Sequence, residues 1–440
     1  MSLPKYPAYK NSGAAWIGDI PSQWNVLPFL GVARERYESN AGMKEDNLLS
    51  LSYGRIVRKD SASNDGLLPE SFETYQIVQP GDTVFRLTDL QNDQRSLRTA
   101  LVGETGIITS AYLCVEPTDV DAVYLSYLLR FYDLSKTFYS MGGGLRQSMK
   151  YADVKRIPIL MPTPGEQVAI ATFLDRETAK IDVLIAEQET LLALLAEKRQ
   201  ATISHAVTKG LNPDAPTKDS GIPWLGEVPA HWEVTRLKFV AEVQTGIAKG
   251  KDTAGKDTMT VPYLRVANVQ DGFLALDDIA MIDIEHQQLD RYRLVSGDVL
   301  MNEGGDFDKL GRGAIWREEI ADCIHQNHVF AVRPHAVRPE WLNQVTNSQY
   351  AQFYFMGRSK QSTNLASISS SNIMELPVVL PPDDEQVRIL ELIDAEIARL
   401  DELNAQSVQG IELLKERRNA LIAAAVTGQI DVRGAVSEAA

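Results

Sequence analysis

Cysteine is nearly absent from these 440 residues: only Cys114 and Cys323 occur. Two thiols cannot build a disulfide framework, and their scarcity fits a reducing compartment, so the expected location is cytoplasmic. No window approaches 18 consecutive apolar residues, which leaves no candidate membrane span. The opening MSLPKYPAYKNSG lacks the basic-then-apolar region of an export signal. Basic side chains are in deficit, 44 Lys and Arg against 59 Asp and Glu, for a net charge of −15. That argues against indiscriminate binding to nucleic acid, which favours basic chains. The deficit is uneven. Residues 1–161 carry 17 basic and 18 acidic side chains, so the acidity sits further along the chain.

Chemical motifs are missing too. Gly142-Gly143-Gly144 runs into Leu145-Arg146-Gln147 and lacks the spacing of a phosphate-cradling loop. Asn212-Pro213 continues into Asp214-Ala215, so the Asp/Asn-Pro-Pro-aromatic motif of amino methyltransferases is absent. Neither HExxH nor CxxC occurs. Cys323, His325 and His328 offer three ligands without an obvious fourth, so no metal site is expected. Asp298, Glu303, Asp306 and Asp308 could hold a nuclease metal, but the related Gly81-Asp82 carries no matching acidic cluster. No catalytic residue and no cofactor of this chain's own is expected.

What is present is repetition. Residues Glu166 to Val207 lack both proline and glycine, and apolar positions recur at Ile170, Leu174, Ile181, Leu184, Leu191, Leu195, Thr202 and Ala206. Steps of three, four and seven mark the seam of a long helix that packs on another helix. The stretch returns as Glu385 to Val426, aligned without a gap. Glu166/Glu385, Gln167/Gln386, Asp175/Asp394, Asp182/Asp401, Glu197/Glu416, Arg199/Arg418 and Thr208/Thr427 all match. Each helix would be roughly 60 Å long at 1.5 Å per residue. Neither can bury its stripe alone, so the two are expected to pair as an antiparallel coiled coil.

A second phrase also repeats. SGAAWIGDIPSQWNV (Ser12 to Val26) returns as SGIPWLGEVPAHWEV (Ser220 to Val234), with Trp16 and Trp24 recurring as Trp224 and Trp232. A proline before the second tryptophan makes these turn-rich clasps, and the tryptophans are expected as packing anchors. Between clasp and long helix lie short β-like runs, such as Tyr75–Val78, Thr83–Leu87, Ala100–Val102 and Tyr112–Val115, and one helical stretch, Ala122 to Tyr139. Gly81-Asp82 is echoed by Gly297-Asp298, and Pro158 by Pro377; little else in the interiors matches. The expected fold class is α/β (α+β): two globular domains joined by two long helices in a pseudo-two-fold repeat. The boundaries read as 1–161 for the first domain with its clasp at 12–26, and 162–210 for the first helix. The second domain is 211–380 with its clasp at 220–234, the second helix 381–431, and 432–440 a frayed tail.

The paired clasps, of pattern SGxxW(I/L)G(D/E)(I/V)PxxW, and the paired PxxxEQ helix starts resemble the specificity subunit of Type I restriction–modification enzymes. So do YLRVANVQDG (Tyr263–Gly272), SGDVLMNEGG (Ser296–Gly305) and KQSTNLASISSSNIMELPVVLPP (Lys360–Pro382). The resemblance implies that each globular unit is a target recognition domain reading half of a bipartite sequence in double-stranded DNA. It implies that the helices space the domains and dock two methyltransferase (modification) subunits, with or without two restriction subunits. S-adenosylmethionine would then belong to the methyltransferase partner, and ATP and Mg to the restriction partner. This chain would do the reading and not the adenine methylation or the cleavage. The competing expectations are a stand-alone metal-dependent nuclease built on the Asp298–Asp308 loop and a coiled-coil scaffold without DNA binding.

Base reading needs Arg, Lys, Asn, Gln, Ser or Thr on loops or ribbons that reach a groove. In the first domain the richest loop is RLTDLQNDQRSLR, with Arg86, Gln91, Asn92, Gln94, Arg95 and Arg98. Arg55 and Arg58, and then Arg146 and Gln147, follow. In the second domain the candidates are Lys249, Lys251 and Lys256, Lys309 and Arg312, and Lys360, Gln361 and Asn364. On the long helices, Leu194, Ile203, Leu413 and Ile422 lie beyond a two-helix seam and are the expected partner-binding positions.

Overall fold

A computed structural model of the chain describes residues 3–60, 69, 71–90, 93, 96–140, 148–250, 255–305, 307, 310–311, 313–361 and 366–437. Two compact units divide the chain: the first is Met1–Glu189 with Val408–Ala440, the second Thr190–Ser407. Among the described residues, no helix is long and apolar enough to cross a membrane.

Both patterned stretches are helices, Pro164–Lys209 (46 residues) and Asp383–Val426 (44 residues). The first begins at a capping box. Glu166 Oε2 accepts from Thr163 N (3.0 Å) and Thr163 Oγ1 (2.8 Å), and Pro164 at the first helical position has no N–H to satisfy. The repeated glutamines tie each helix to the prolines before it: Gln167 Nε2 donates to Pro162 O and Gln386 Nε2 to Pro381 O, both at 3.0 Å. A glycine in the left-handed region follows each helix, Gly210 (φ 72°) and Gly428 (φ 71°).

Within the first unit, the start of the first long helix packs against the end of the second. Ile170 and Leu174 share a core with Ile422 and Val426, and Asp182 Oδ1 lies 3.2 Å from Arg418 Nε. Within the second unit the complementary halves do the same. Ile203 and Val207 share a core with Ile389 and Ile393, and Arg199 pairs with Asp401. Residue numbers rise along one helix as they fall along the other, so the packing is antiparallel in both units. The charged positions that repeat in the sequence are therefore each other's partners, the carboxylate of one copy meeting the guanidinium of the other. The seam is not covered along its whole length. Leu184 and Leu191, expected inside it, are 45% and 38% exposed. Periodicity states which face is apolar; it does not state that a neighbour covers it.

The globular interiors share a plan that their sequences hide. In the first unit a four-stranded antiparallel sheet runs Ala33–Arg36, Leu113–Pro117, Thr83–Phe85, Thr99–Leu101 in spatial order. In the second the order is Ala241–Thr245, Val329–Pro334, Val299–Asn302, Gly313–Ile315, again antiparallel throughout. In each unit the strand at the clasp pairs with the strand that leads into the long helix: Asn25–Pro28 with Pro158–Met161, and Glu233–Arg236 with Pro377–Leu380. The clasp hairpin also occurs twice, Tyr9–Asn11 with Asp19–Pro21 and Thr217–Asp219 with Glu227–Pro229, but other strands differ. The first unit adds the hairpin Leu49–Ser52/Arg55–Arg58, whereas the second adds the longer hairpin Thr258–Leu264/Ala280–Glu285.

Trp24 and Trp232 are fully buried anchors, as expected. Each indole donates to the repeated glutamate of a helix start, Trp24 Nε1 to Glu166 Oε1 (3.3 Å) and Trp232 Nε1 to Glu385 Oε2 (3.1 Å). The glycine after a helix end closes the other side: a Cβ on Gly428 or on Gly210 would lie 3.0 Å from the Trp24 or the Trp232 ring. Burial opposes ionisation of Glu166, but hydrogen bonds from Thr163, Trp24 and Gln23 outweigh it and hold its carboxyl below the usual range. Among the described residues, the segment from Thr427 to Ser437 is not frayed. Asp431 N donates to Pro4 O (2.8 Å), Tyr9 Oη to Gly428 O (2.9 Å), and Val432 is fully buried. Val432, with Ile430 and Ala435 beside it, joins the core that also holds Tyr6, a contact no local pattern encodes.

Candidate nucleic-acid interface

The candidate loops hang from the second strand pair of each sheet, and a shared turn sets that strand's entry. Gly81 (φ 93°) and Gly297 (φ 94°) allow it. Asp82 Oδ2 accepts from Gln79 N (2.8 Å), and Asp298 Oδ2 from Val295 N (2.9 Å). Both aspartates are buried and face an arginine. Asp82 lies 3.5 Å from Arg36, and Asp298 Oδ1 and Oδ2 accept from Arg333 Nε (2.7 Å) and Nη2 (2.8 Å). Burial pushes the Asp82 carboxyl up against these partners. Asp298 is thus a turn-forming, ion-paired side chain, and the nuclease reading loses it. Asp306 and Asp308 lie outside the described residues, and among the described ones no group of three potential ligands gathers.

After this strand each unit sends out a loop, and a second loop returns beside it. In the first unit Met149 N donates to Leu87 O (2.9 Å); in the second Ile368 N donates to Glu303 O (2.9 Å). These bonds join the 86–98 loop to the segment ending at Lys150, and the 302–312 loop to the segment 360–368. Four of the six regions singled out for base reading are therefore two equivalent pairs. Of their members, Gln91, Asn92, Gln94, Arg95, Arg146, Gln147, Lys309, Arg312 and Asn364 lie outside the described residues. Arg86 is partly exposed and 3.7 Å from Asp93. Lys360 and Gln361 are exposed on a small ribbon formed with Ala366–Ser367 and Gly304–Gly305.

Arg98 is a correction. It is 0% exposed, and its guanidinium donates to Thr88 O (2.9 Å), Asp89 O (3.3 Å), Asp93 O and Tyr139 Oη (3.1 Å). With four of its five N–H groups committed inside the loop and its side chain fully buried, this guanidinium does not reach a base; it organises the loop from inside. Beneath it, the Asp133 carboxylate accepts from Arg98 N and Thr99 N.

The other candidates lie away from the loop pairs. Arg55 and Arg58 are the two ends of the second strand of a tight hairpin whose turn, Tyr53-Gly54, has φ of 45° and 73°. Arg55 pairs with Asp182 of the long helix (2.9 Å), and Arg58 Nε donates to Glu104 Oε1 (2.8 Å). Lys249 and Lys256 line a cavity beside the long hairpin of the second unit, where Lys256 pairs with Glu285 (2.7 Å); Lys251 lies outside the described residues. On the long helices Leu194 and Leu413 are 55% and 56% exposed and available to a partner. Ile203 and Ile422 are 5% and 1% exposed. Those two are core residues, because each unit's globular layer covers that face of the helix.

The cluster Cys323, His325 and His328 is taken apart by the fold. Cys323 and His325 are buried; His325 Nδ1 donates to Val329 O (2.7 Å), and burial pushes its imidazole down to about 4, so it stays neutral. His328 is at the surface, where its Nδ1 meets Glu303. Glu303, Asn327 and His328 were not foreseen as a group. The only sequence signal was their chemistry; their meeting depends on the sheet.

The comparisons with known proteins follow this geometry. The fold is that of a chain from a solved structure described as "Structural basis underlying complex assembly and conformational transition of the type I R-M system". The TM-score is 0.61, the sequence identity 17%, and the match covers 93% of this chain and 99% of that one. Residues 229–413 match the family model of the Type I restriction modification DNA specificity domain. The chain is 24% identical over 201 residues to the putative type I restriction enzyme MjaX specificity subunit of Methanocaldococcus jannaschii (45% of this chain, 46% of that protein). It is 24% identical over 293 residues to the EcoKI specificity subunit of Escherichia coli K12 (64% and 60%). The matches span about half to three-fifths of the length of these curated relatives. The resemblance carried by the clasps and helix starts is borne out: the chain is similar to Type I specificity subunits, and residues 229–413 match the model of their DNA specificity domain.

Proposed function

We propose that this chain is the DNA sequence-recognition subunit of a Type I restriction–modification complex. The observation that carries the reading is the duplicated loop pair: one sheet, one turn and one loop-to-loop hydrogen bond occur twice, while the loops themselves differ. A scaffold kept constant under two unlike surfaces suits two unlike half-sites. The recognition domains are residues 1–161 and 211–380, and the long helices at 162–210 and 381–431 dock two methyltransferase subunits, Leu194 and Leu413 contributing apolar surface. The described members of the loop pairs, Arg86, Lys360 and Gln361, contact DNA, and so do Gln91, Asn92, Gln94, Arg95, Arg146, Gln147, Lys309, Arg312 and Asn364. Adenine methylation belongs to the methyltransferase with its S-adenosylmethionine, and cleavage to restriction subunits with ATP and Mg. A net charge of −15 is tolerable if the partners neutralise most phosphates.

Exchange of residues 27–157 for the equivalent interior of a related subunit tests this. Methylated adenines mapped in cells that express the chimera with the methyltransferase should show one half of the target changed and the other retained. A change in both halves, or in neither, contradicts one domain per half-site.

A further inference from the structure

Three side chains of the second unit form a relay that ends on the loop face. Glu303 Oε2 lies 2.5 Å from His328 Nδ1, and His328 Nε2 lies 3.3 Å from Asn327 Nδ2. In the neutral imidazole with its proton on Nδ1 toward Glu303, Nε2 accepts from the Asn327 amide. The amide is thereby oriented: one N–H is committed to His328, and the second N–H and the oxygen remain side by side. The backbone beneath is fixed as well. Val329 N donates to Gln326 O (2.8 Å), Gln326 N to Leu264 O (2.8 Å) and Asn327 N to Ile247 O (3.2 Å).

The relay is joined to the loop pair. Glu303 N donates to His328 O (2.9 Å), and Glu303 O is the acceptor of the bond from Ile368 that defines the pair. The His328 side chain is 56% exposed, so the relay opens to a ligand instead of bracing a core. The equivalent turn of the first unit, before strand Leu113–Pro117, carries Ser110 and Ala111 instead of Asn327 and His328. The relay is therefore a property of one unit only, as a half-site reader should be.

We propose that Asn327, oriented by His328 and Glu303, reads an adenine in the half-site of the second unit. Its free N–H and its oxygen match the N7 acceptor and N6 amino donor on the major-groove edge of adenine, a bidentate pairing open to no other base. The assignment rests on the DNA-recognition reading above; Asn327 touches the base, and His328 and Glu303 are positioning residues.

The test is methylation by the full chain with its methyltransferase partner, on a DNA library randomised over both half-sites. Asn327→Ala should lower the preference for adenine at one position of one half-site on the order of tenfold, with the other half-site unchanged. His328→Ala and Glu303→Gln should weaken the same position by about threefold, because the amide is then free to rotate, and thermal midpoints should not move. If Asn327→Ala leaves every positional preference within about twofold, or lowers methylation evenly over all sequences, the proposal is overturned while the recognition reading stands. If the wild-type complex shows no preference at either half-site, the recognition reading fails and the proposal with it.

Discussion

Replacing Arg98 by Met removes the buried cation on which the 86–98 loop converges. The guanidinium satisfies three carbonyls of its own loop and the Tyr139 hydroxyl, and lies 5.4 Å over the Tyr139 ring. A hydrogen bond to a charged group contributes roughly 1.5–3 kcal/mol net. Four of them would sum to more than the loop can lose, since carbonyls near the surface turn to water once the clamp is gone. The expected loss is therefore that of a broken buried charge cluster, about 3–5 kcal/mol. Arg98→Lys should fall between, because one ammonium reaches fewer of the four acceptors. Urea unfolding gives the free energy, and amide exchange over residues 86–98 locates it: the loss should concentrate there, with the second unit's amides unchanged. A stability change below about 1 kcal/mol for Arg98→Met, or protection lost evenly across the chain, refutes the clamp.

Gly428→Ala should destabilise the first unit by about 2–4 kcal/mol, from left-handed backbone strain and a Cβ 2.4 Å from the Pro21 ring, read by thermal unfolding. Gly410→Ala, in the second long helix with open space around it, should instead stabilise by about 0.5–1 kcal/mol. Burial pushes the Asp133 carboxyl up to about 6 despite its bonds from Arg98 and Thr99. A folded-state value above the unfolded one means stability is greatest below pH 4 for this group and declines as pH rises through 6, by roughly 2–3 kcal/mol. Asp133→Asn should flatten that segment of the stability-versus-pH curve; an unchanged slope between pH 4 and 7 counts against the assignment.

The repeated phrases were legible because they are one mechanism written twice. Trp24, Glu166 and Gly428 meet at a single point, as do Trp232, Glu385 and Gly210. All six must keep their identity, so clasp, helix start and helix end all show in the sequence. The sheets beneath were not legible as a pair. Strands of three to six residues need only apolar side chains on the buried face, and such residues interchange freely. Only Gly81-Asp82 and Gly297-Asp298 betray them, since that turn demands a positive φ and a carboxylate. Arg98 was misread as a base reader for the same reason that made its loop attractive. A polar loop rich in arginine looks solvated, and only the convergence of three backbone carbonyls shows that one arginine points inward. Leu184 and Leu191 show the reverse error, an apolar stripe taken as a closed seam where the helices leave it open.

The closure of Trp24 by Gly428 has a consequence for synthesis. The second unit is a contiguous run, Thr190–Ser407, whereas the first is completed only by Val408–Ala440. The ribosome therefore finishes the second unit before the first, although the first is made earlier. At roughly 5–20 residues per second, the N-terminal tryptophan waits on the order of 20–80 s for the glycine that caps it. During that interval Ile170, Leu174 and the buried face of the clasp lack the part of their core that Ile422, Ala425, Val426 and Val432 supply. A nascent-chain chaperone, or a neighbouring copy still being translated, meets that face first, so the order of emergence makes the N-terminal unit the place where misassembly starts.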